Sequence, residues 1–134
     1  MIRRAVLADV PRLAAMAAYF VRNSSYAEVV TPDQAAMEKG FAAIVGAPNG
    51  ICFVLEVDGR VQGAILGIVA PHLMTGGNVA VEIGWWVEPE ARGAAGLALL
   101  TAYEAEVQKA GVTFSVMTCP PDNSERVGRI SERA

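Results

Sequence analysis

The stretch Val79-Ala80-Val81-Glu82-Ile83-Gly84-Trp85-Trp86-Val87, followed by Glu88-Pro89-Glu90-Ala91-Arg92-Gly93-Ala94-Ala95-Gly96 and Leu97-Ala98-Leu99-Leu100, decides the reading of this chain. Its first part is β-branched and aromatic, the composition of a strand. Its second part is a turn of small residues. From Leu97 the apolar positions Leu100, Tyr103, Val107 and Ala110 keep helical spacing until Gly111 supplies a C-terminal stop. Val112 to Thr118 is strand-like again. Strand, helix, strand across Val79 to Cys119 demands a right-handed crossover and therefore two parallel neighbouring strands.

Upstream, Ile51 to Val57 and Arg60 to Val69 are joined by Asp58-Gly59, a strong short hairpin signal, so two antiparallel strands precede the parallel unit. Pro71 to Asn78 is a loop holding the one histidine, His72. The N-terminal third reads as helical. A short strand at Ile2 to Arg4 leads to Asp9, an N-cap with Pro11 in the first turn, and Val10, Leu13, Ala14, Ala17 and Val21 recur at helical spacing. Asn23-Ser24-Ser25 breaks that helix. Thr31-Pro32-Asp33 repeats the cap-then-proline signal for a second helix toward Ile44, and Ala47 to Gly50 ends the helical half. After the last strand, Pro120 to Asn123 reads as a loop and Glu125 to Arg133 as the start of a helix. The expected fold is α+β, a mixed and mostly antiparallel sheet flanked by helices.

A chain of 134 residues fits a single domain spanning 1–134. With 53% hydrophobic and 19% charged residues, it holds the material for a core and is neither disordered nor fibrous. A formal charge of -3 with no run of like charges disfavours nucleic-acid binding through a basic face. Apolar runs such as Ala64 to Ala70 fall short of the roughly 20 residues of a membrane span. The start of the chain lacks an uninterrupted apolar signal core, so a cytoplasmic location is expected. Cys52 and Cys119 lie in apolar, strand-like runs and read as buried thiols, not a disulfide or half a metal site. With one histidine, a structural zinc site is not expected.

The turn from Pro89 to Gly96 bears on chemistry. Small residues between a strand and a helix N-terminus leave several backbone N–H groups unpaired and unobstructed, and the helix dipole adds positive potential, which suits an anion such as a pyrophosphate. The same glycines equally serve a tight strand-to-helix connection, so both readings stand on the turn alone. The dinucleotide fingerprint is not met, because only Gly93 and Gly96 are glycine, and no Gly-Lys-Ser/Thr exists for a P-loop.

On these residues the chain resembles the GNAT-type N-acetyltransferase superfamily, whose coenzyme A loop reads Val-x-Pro-x-x-Arg-Gly-x-Gly-x-Gly/Ala. Val87, Pro89, Arg92 and Gly93 match. The Asp9-Val10-Pro11 helix, the Asp58-Gly59 hairpin with Val61-Gln62-Gly63, the Ala80-Val81-Glu82 strand and the Leu99-Leu100 helix fall in the family's order. The later loop glycines fall on Ala95 and Leu97, or the loop is one residue shorter and Gly96 takes the last place. The resemblance implies acetyl-CoA as cosubstrate, with its pyrophosphate on the amides from Arg92 through Gly93, Ala94, Ala95 and Gly96 to Leu97. It also implies that the pantetheine arm pairs with the backbone around Trp85 and Val87, and it assigns Asn123 to cofactor contacts. An amine acceptor then attacks the thioester directly, with Glu82 as general base. The alternative is a GNAT-like domain that binds coenzyme A or a protein partner without catalysis.

Glu82 sits in a strand expected to be central, where a buried carboxylate needs a partner and has its pKa raised, the environment a general base wants. A partly exposed carboxylate, or one paired to an arginine, is the plainer possibility. Strand alternation puts Ala80, Glu82, Gly84 and Trp86 on one face, leaving room beside the carboxylate. Trp85 and Trp86 then point to opposite faces, one into the core and the other available to wall an acceptor site. His72 is a candidate acceptor contact, the single side chain with an unperturbed pKa near neutrality, although a loop histidine is commonly just solvated. Tyr26 falls where the family's acceptor-binding segment lies. The family's last-helix tyrosine, which protonates the departing thiolate, is replaced by Ser131, a poorer acid. The family's final two strands have no sequence before Ala134, and the resulting open sheet edge predicts self-association as a homo-oligomer or a partly open acceptor side.

Overall fold

The computed structural model describes residues 1–112 and 114–117. Its elements run β1 (Ile2–Arg4), α1 (Val10–Arg22), α2 (Gln34–Gly46), β2 (Gly50–Val57), β3 (Arg60–Pro71), β4 (Asn78–Val87), α3 (Ala95–Lys109) and β5 (Phe114–Val116). The strands form one sheet in the order β1-β2-β3-β4-β5, antiparallel throughout except for the parallel β4–β5 pair, in which Val79, Ala80 and Val81 face Phe114, Ser115 and Val116. The α+β architecture and the parallel closing pair agree with the sequence. The region 118–134, with Cys119, Asn123, Ser131 and the expected C-terminal helix, lies outside the described residues.

The hairpin forms as Asp58-Gly59 requires, since both residues take positive φ, 52° and 76°, the geometry of a two-residue turn matched to strand twist. Gly111 ends α3 with φ 67°. Two helix starts differ from expectation. Asp9 occupies the N-cap of α1, but its carboxylate makes no cap hydrogen bond there. It accepts from Val6 N–H at 2.8 Å and from both terminal nitrogens of Arg3 at 2.8 and 2.9 Å, so it ties β1 to the helix instead of capping it. For α2 the cap is Asp33, whose side chain accepts from Ala36 N–H at 3.0 Å, with Pro32 ahead of the helix and not in its first turn.

Helices cover both faces of the sheet. On one, Leu99, Leu100, Tyr103 and Val107 of α3 pack on Ile51, Leu55, Ile65 and Ala80. On the other, Leu13 and Met16 of α1 pack on Cys52, Val54, Val61, Ala64 and Leu66. Each core side chain of this size stabilises by about 1.5–3 kcal/mol when buried. Cys52 is buried and free, and desolvation pushes its thiol up to about 12, as expected of a packed core cysteine.

The β4 strand carries the irregularity that shapes the site. Leu66 faces Gly84 and Gly67 faces Glu82, so Ile83 is an extra residue with no partner of its own. Such a bulge breaks the two-residue alternation. Ala80 therefore packs with α3, whereas Trp86 packs with α1 and α2. The expectation that Ala80, Glu82, Gly84 and Trp86 share one face fails at Ile83.

Candidate active site

Opposite the bulge, α1, α2 and the turn between them enclose a cavity of about 470 Å3, within the size range of small-molecule sites. The helices contribute Phe20 and Val21 from α1 and Met37, Phe41 and Ile44 from α2, with Tyr26 from the connection. The sheet contributes Leu66 and the run from Glu82 to Trp86. The α2 spacing of Met37, Phe41 and Ile44 is a helical stripe, yet no residue of α2 is fully buried, because the stripe faces the cavity. These α2 side chains escaped the sequence reading, since a stripe facing a cavity has the same spacing as one facing a core.

Glu82 is 2% exposed and lies in the cavity wall. Its ladder partner Gly67 has no side chain, and a Cβ placed there would collide with the Tyr103 hydroxyl oxygen, so Tyr103 closes the sheet on the α3 side of the carboxylate. Burial, then the Glu82 charge, pushes the Tyr103 phenol well above its ordinary range, and its hydroxyl has no hydrogen-bond partner among the described residues. Gly84 is not open space. A Cβ there would lie 2.7 Å from the Trp86 ring and 3.0 Å from Leu66 Cδ2, so the expected room beside Glu82 at Gly84 is filled by the folded-over indole. Trp86 is held edge-on by Phe41, with ring centroids 6.2 Å apart at 70°. Both tryptophans reach the cavity, and Trp85 also packs against the α3-side core.

Of the expected acceptor contacts, Tyr26 and Trp86 come together with Glu82 in this wall, Tyr26 half-exposed and resting on Phe20. His72 does not. It sits in the β3–β4 loop with its ring against Phe114 at 5.0 Å and its Nδ1 accepting from Met74 N–H.

At its other end β4 runs into the small-residue turn. Arg92 Nε donates to the Val87 carbonyl at 3.1 Å, folding the turn back onto the strand. Gly93 takes φ 132°, a conformation that L side chains rarely adopt, so this glycine is needed for its backbone. Ala94 is the N-cap of α3 and has no side chain with which to cap it. Ala98 N–H reaches the Ala94 carbonyl, while the N–H groups of Gly93 to Leu97 find no protein acceptor among the described residues. The half-buried Gly96 lies over Trp85, where a Cβ would have only an ordinary 3.9 Å contact. From Glu82 to Val87, the β4 edge on the β5 side has no ladder partner among the described residues.

Among the described residues no group of three or more His, Cys, Asp and Glu side chains could hold a metal ion, and no helix is long and apolar enough to cross a membrane.

Three solved structures share this arrangement. A transcriptional regulator from Bacillus halodurans C-125 superposes with a TM-score of 0.80 at 17% identity, over 99% of this chain and 89% of that one. A possible acetyltransferase from Clostridium difficile 630 gives 0.78 at 17%, over 100% and 89%. A ribosomal-protein-alanine N-acetyltransferase from Brucella melitensis biovar Abortus 2308 gives 0.71 at 15%, over 100% and 90%. At these identities the likeness is one of fold. No curated protein sequence matches the chain. A family model described as the acetyltransferase (GNAT) family matches residues 13–128, a span that holds most of α1, all of α2, the bulged strand and the uncapped helix start. The chain belongs to the GNAT acetyltransferase family.

Proposed function

We propose that this protein transfers an acetyl group from acetyl-CoA to a primary amine, with Glu82 as general base. The observation that carries the reading is the course of β4. Its Glu82 end lies in the wall of the cavity, and its Val87 end leads into a turn whose N–H groups lack acceptors among the described residues. One strand thus joins a carboxylate to an anion-suited helix start, as a direct transfer between two bound substrates requires.

The residues present fit the cosubstrate. The N–H groups of Gly93 to Leu97 and the α3 dipole would hold the pyrophosphate, and the β4 edge around Trp85 and Val87, which has no ladder partner among the described residues, would pair with the pantetheine amides. Arg92, with its guanidinium on the Val87 carbonyl, acts chiefly by fixing the turn. When bound, acetyl-CoA supplies the activated acetyl group.

An acceptor enters as an ammonium ion and passes one proton to Glu82. Its freed nitrogen lone pair forms the new C–N bond while the C–S bond breaks. Coenzyme A departs as a thiolate, which takes the second nitrogen proton, and Glu82 returns its proton to solvent. General-base assistance of this kind contributes about 10²–10⁴-fold.

Glu82→Gln tests the assignment. The variant should retain acetyl-CoA affinity and lose acetyl transfer by at least about a hundredfold. Transfer unchanged in the variant would remove Glu82 from the mechanism. Acetyl-CoA binding by the native protein without transfer to any amine would favour the non-catalytic binding domain.

A further inference from the structure

The cavity wall is specific about charge. Among its described residues Glu82 is the one carboxylic acid, and none is a lysine, arginine or histidine. The remainder is aromatic or aliphatic, with Phe20, Met37, Phe41, Ile44, Trp86 and the half-exposed Tyr26 around the space. The indole donor of Trp86, Nε1, is buried without an acceptor among the described residues.

Such a wall discriminates strongly between amines. One ammonium group can be matched by the Glu82 carboxylate. A second or third ammonium carried into the same cavity would meet no further carboxylate among the described residues, and a buried unpaired charge is costly. Hydroxyl groups fare similarly, because a polyol would exchange water for aromatic rings and methyl groups. A hydrocarbon body gains from each buried methylene and stacks on Trp86 and Phe41. We infer that the acceptor is a small primary monoamine with an aromatic or branched hydrocarbon body, seated between α1, α2 and the β4 bulge. The inference rests on the acetyltransferase reading for its chemistry, but not for its binding.

Binding can be read without turnover. The chain's two tryptophans, Trp85 and Trp86, both stand in the cavity wall, so intrinsic fluorescence reports its occupancy. The probes are 2-phenylethylamine, spermidine and kanamycin, each titrated by tryptophan emission and then assayed for free-thiol release from acetyl-CoA. The expected result is a saturable emission change with 2-phenylethylamine alone, and kcat/KM for it at least tenfold above the other two. In Met37→Gln, which puts an amide in the wall from a half-buried position, KM for 2-phenylethylamine should rise about tenfold with kcat nearly unchanged. An unchanged thermal midpoint would show that this variant keeps its fold.

Saturable emission changes or turnover with spermidine or kanamycin at comparable efficiency would overturn the inference. So would the absence of any saturable change with 2-phenylethylamine. A saturable change with 2-phenylethylamine but no thiol release from any amine would support the binding specificity and overturn the acetyltransferase reading.

Discussion

Gly67 and Glu82 face each other across the β3–β4 ladder at the point where it slips by one residue, and Tyr103 fills the space that a side chain on Gly67 would take. The slip lets one strand serve two faces. Residues before it pack toward α3, and Trp86 beyond it packs toward α1 and α2, with Glu82 at the crossing.

Gly67 should therefore be the least tolerant position of β3. A Cβ there meets the Tyr103 hydroxyl and lies 2.6 Å from the Val81 carbonyl oxygen. Gly67→Ala should cost roughly 1–3 kcal/mol by overpacking, measured by chemical denaturation. Adding Tyr103→Phe should restore part of the loss, because it removes the colliding oxygen but leaves Val81 in place. Tyr103→Phe alone should change stability by less than about 1 kcal/mol, since the hydroxyl has no partner among the described residues.

Gly84→Ala tests the coupling of Trp86 to the cavity. Its Cβ would lie 2.7 Å from the indole ring, so the ring must move off the sheet toward Phe41 and the open space. Tryptophan emission should shift, and acceptor KM should rise several-fold with acetyl-CoA affinity unchanged. Identical emission and KM would show that the indole has other room.

The Arg3–Asp9 pair makes the fold acid-sensitive in a defined direction. Hydrogen bonds from Arg3, aided by that from Val6 N–H, hold the Asp9 carboxyl below its ordinary value of 3.8. A depressed folded-state pKa contributes stability that is present above the unfolded value and is lost as pH falls through the folded one. Asp9→Asn should cost roughly 1–3 kcal/mol at pH 7, and the gap to the native protein should narrow below about pH 3.8. A pH-independent gap would mean that Asp9 acts by packing and not by charge.

Much of this was legible in the chain. The hairpin at Asp58-Gly59, the strand, turn and helix of Val79 to Gly111, and the parallel β4–β5 pair follow from turn chemistry and periodicity, which are local signals. The bulge at Ile83 is not local. Nothing in Val81-Glu82-Ile83-Gly84 departs from alternation until β3 supplies Gly67 as the partner over which Tyr103 can lie. Glu82, Tyr26 and Trp86 were readable as site candidates, and they converge on the cavity. His72, a candidate acceptor contact by residue type, lies outside this wall, and its ring rests on Phe114, a contact between a loop and a strand distant in sequence that local signals do not carry. Asp9 holds the N-cap position that its place before Pro11 indicates, but its carboxylate answers to an arginine six residues earlier in the chain.

The turn at Gly93 offers a sharper test than the loop's other small residues. With φ 132° and nothing within 4 Å of a Cβ among the described residues, Gly93→Ala meets there no steric obstacle other than its own backbone. Stability should fall by about 1 kcal/mol, and acetyl-CoA affinity should fall at least tenfold as the N–H groups that follow are re-aimed. Unchanged affinity would mean that the cosubstrate does not rest on this turn.

The most direct test of the account is thermal unfolding of the native protein with and without acetyl-CoA. A ligand at about one hundred times its Kd stabilises the native state by roughly 2.7 kcal/mol, so the midpoint should rise, saturate with acetyl-CoA and rise less in Gly93→Ala. No rise at millimolar acetyl-CoA would contradict it, because the strand and turn that define the site would then hold no cosubstrate.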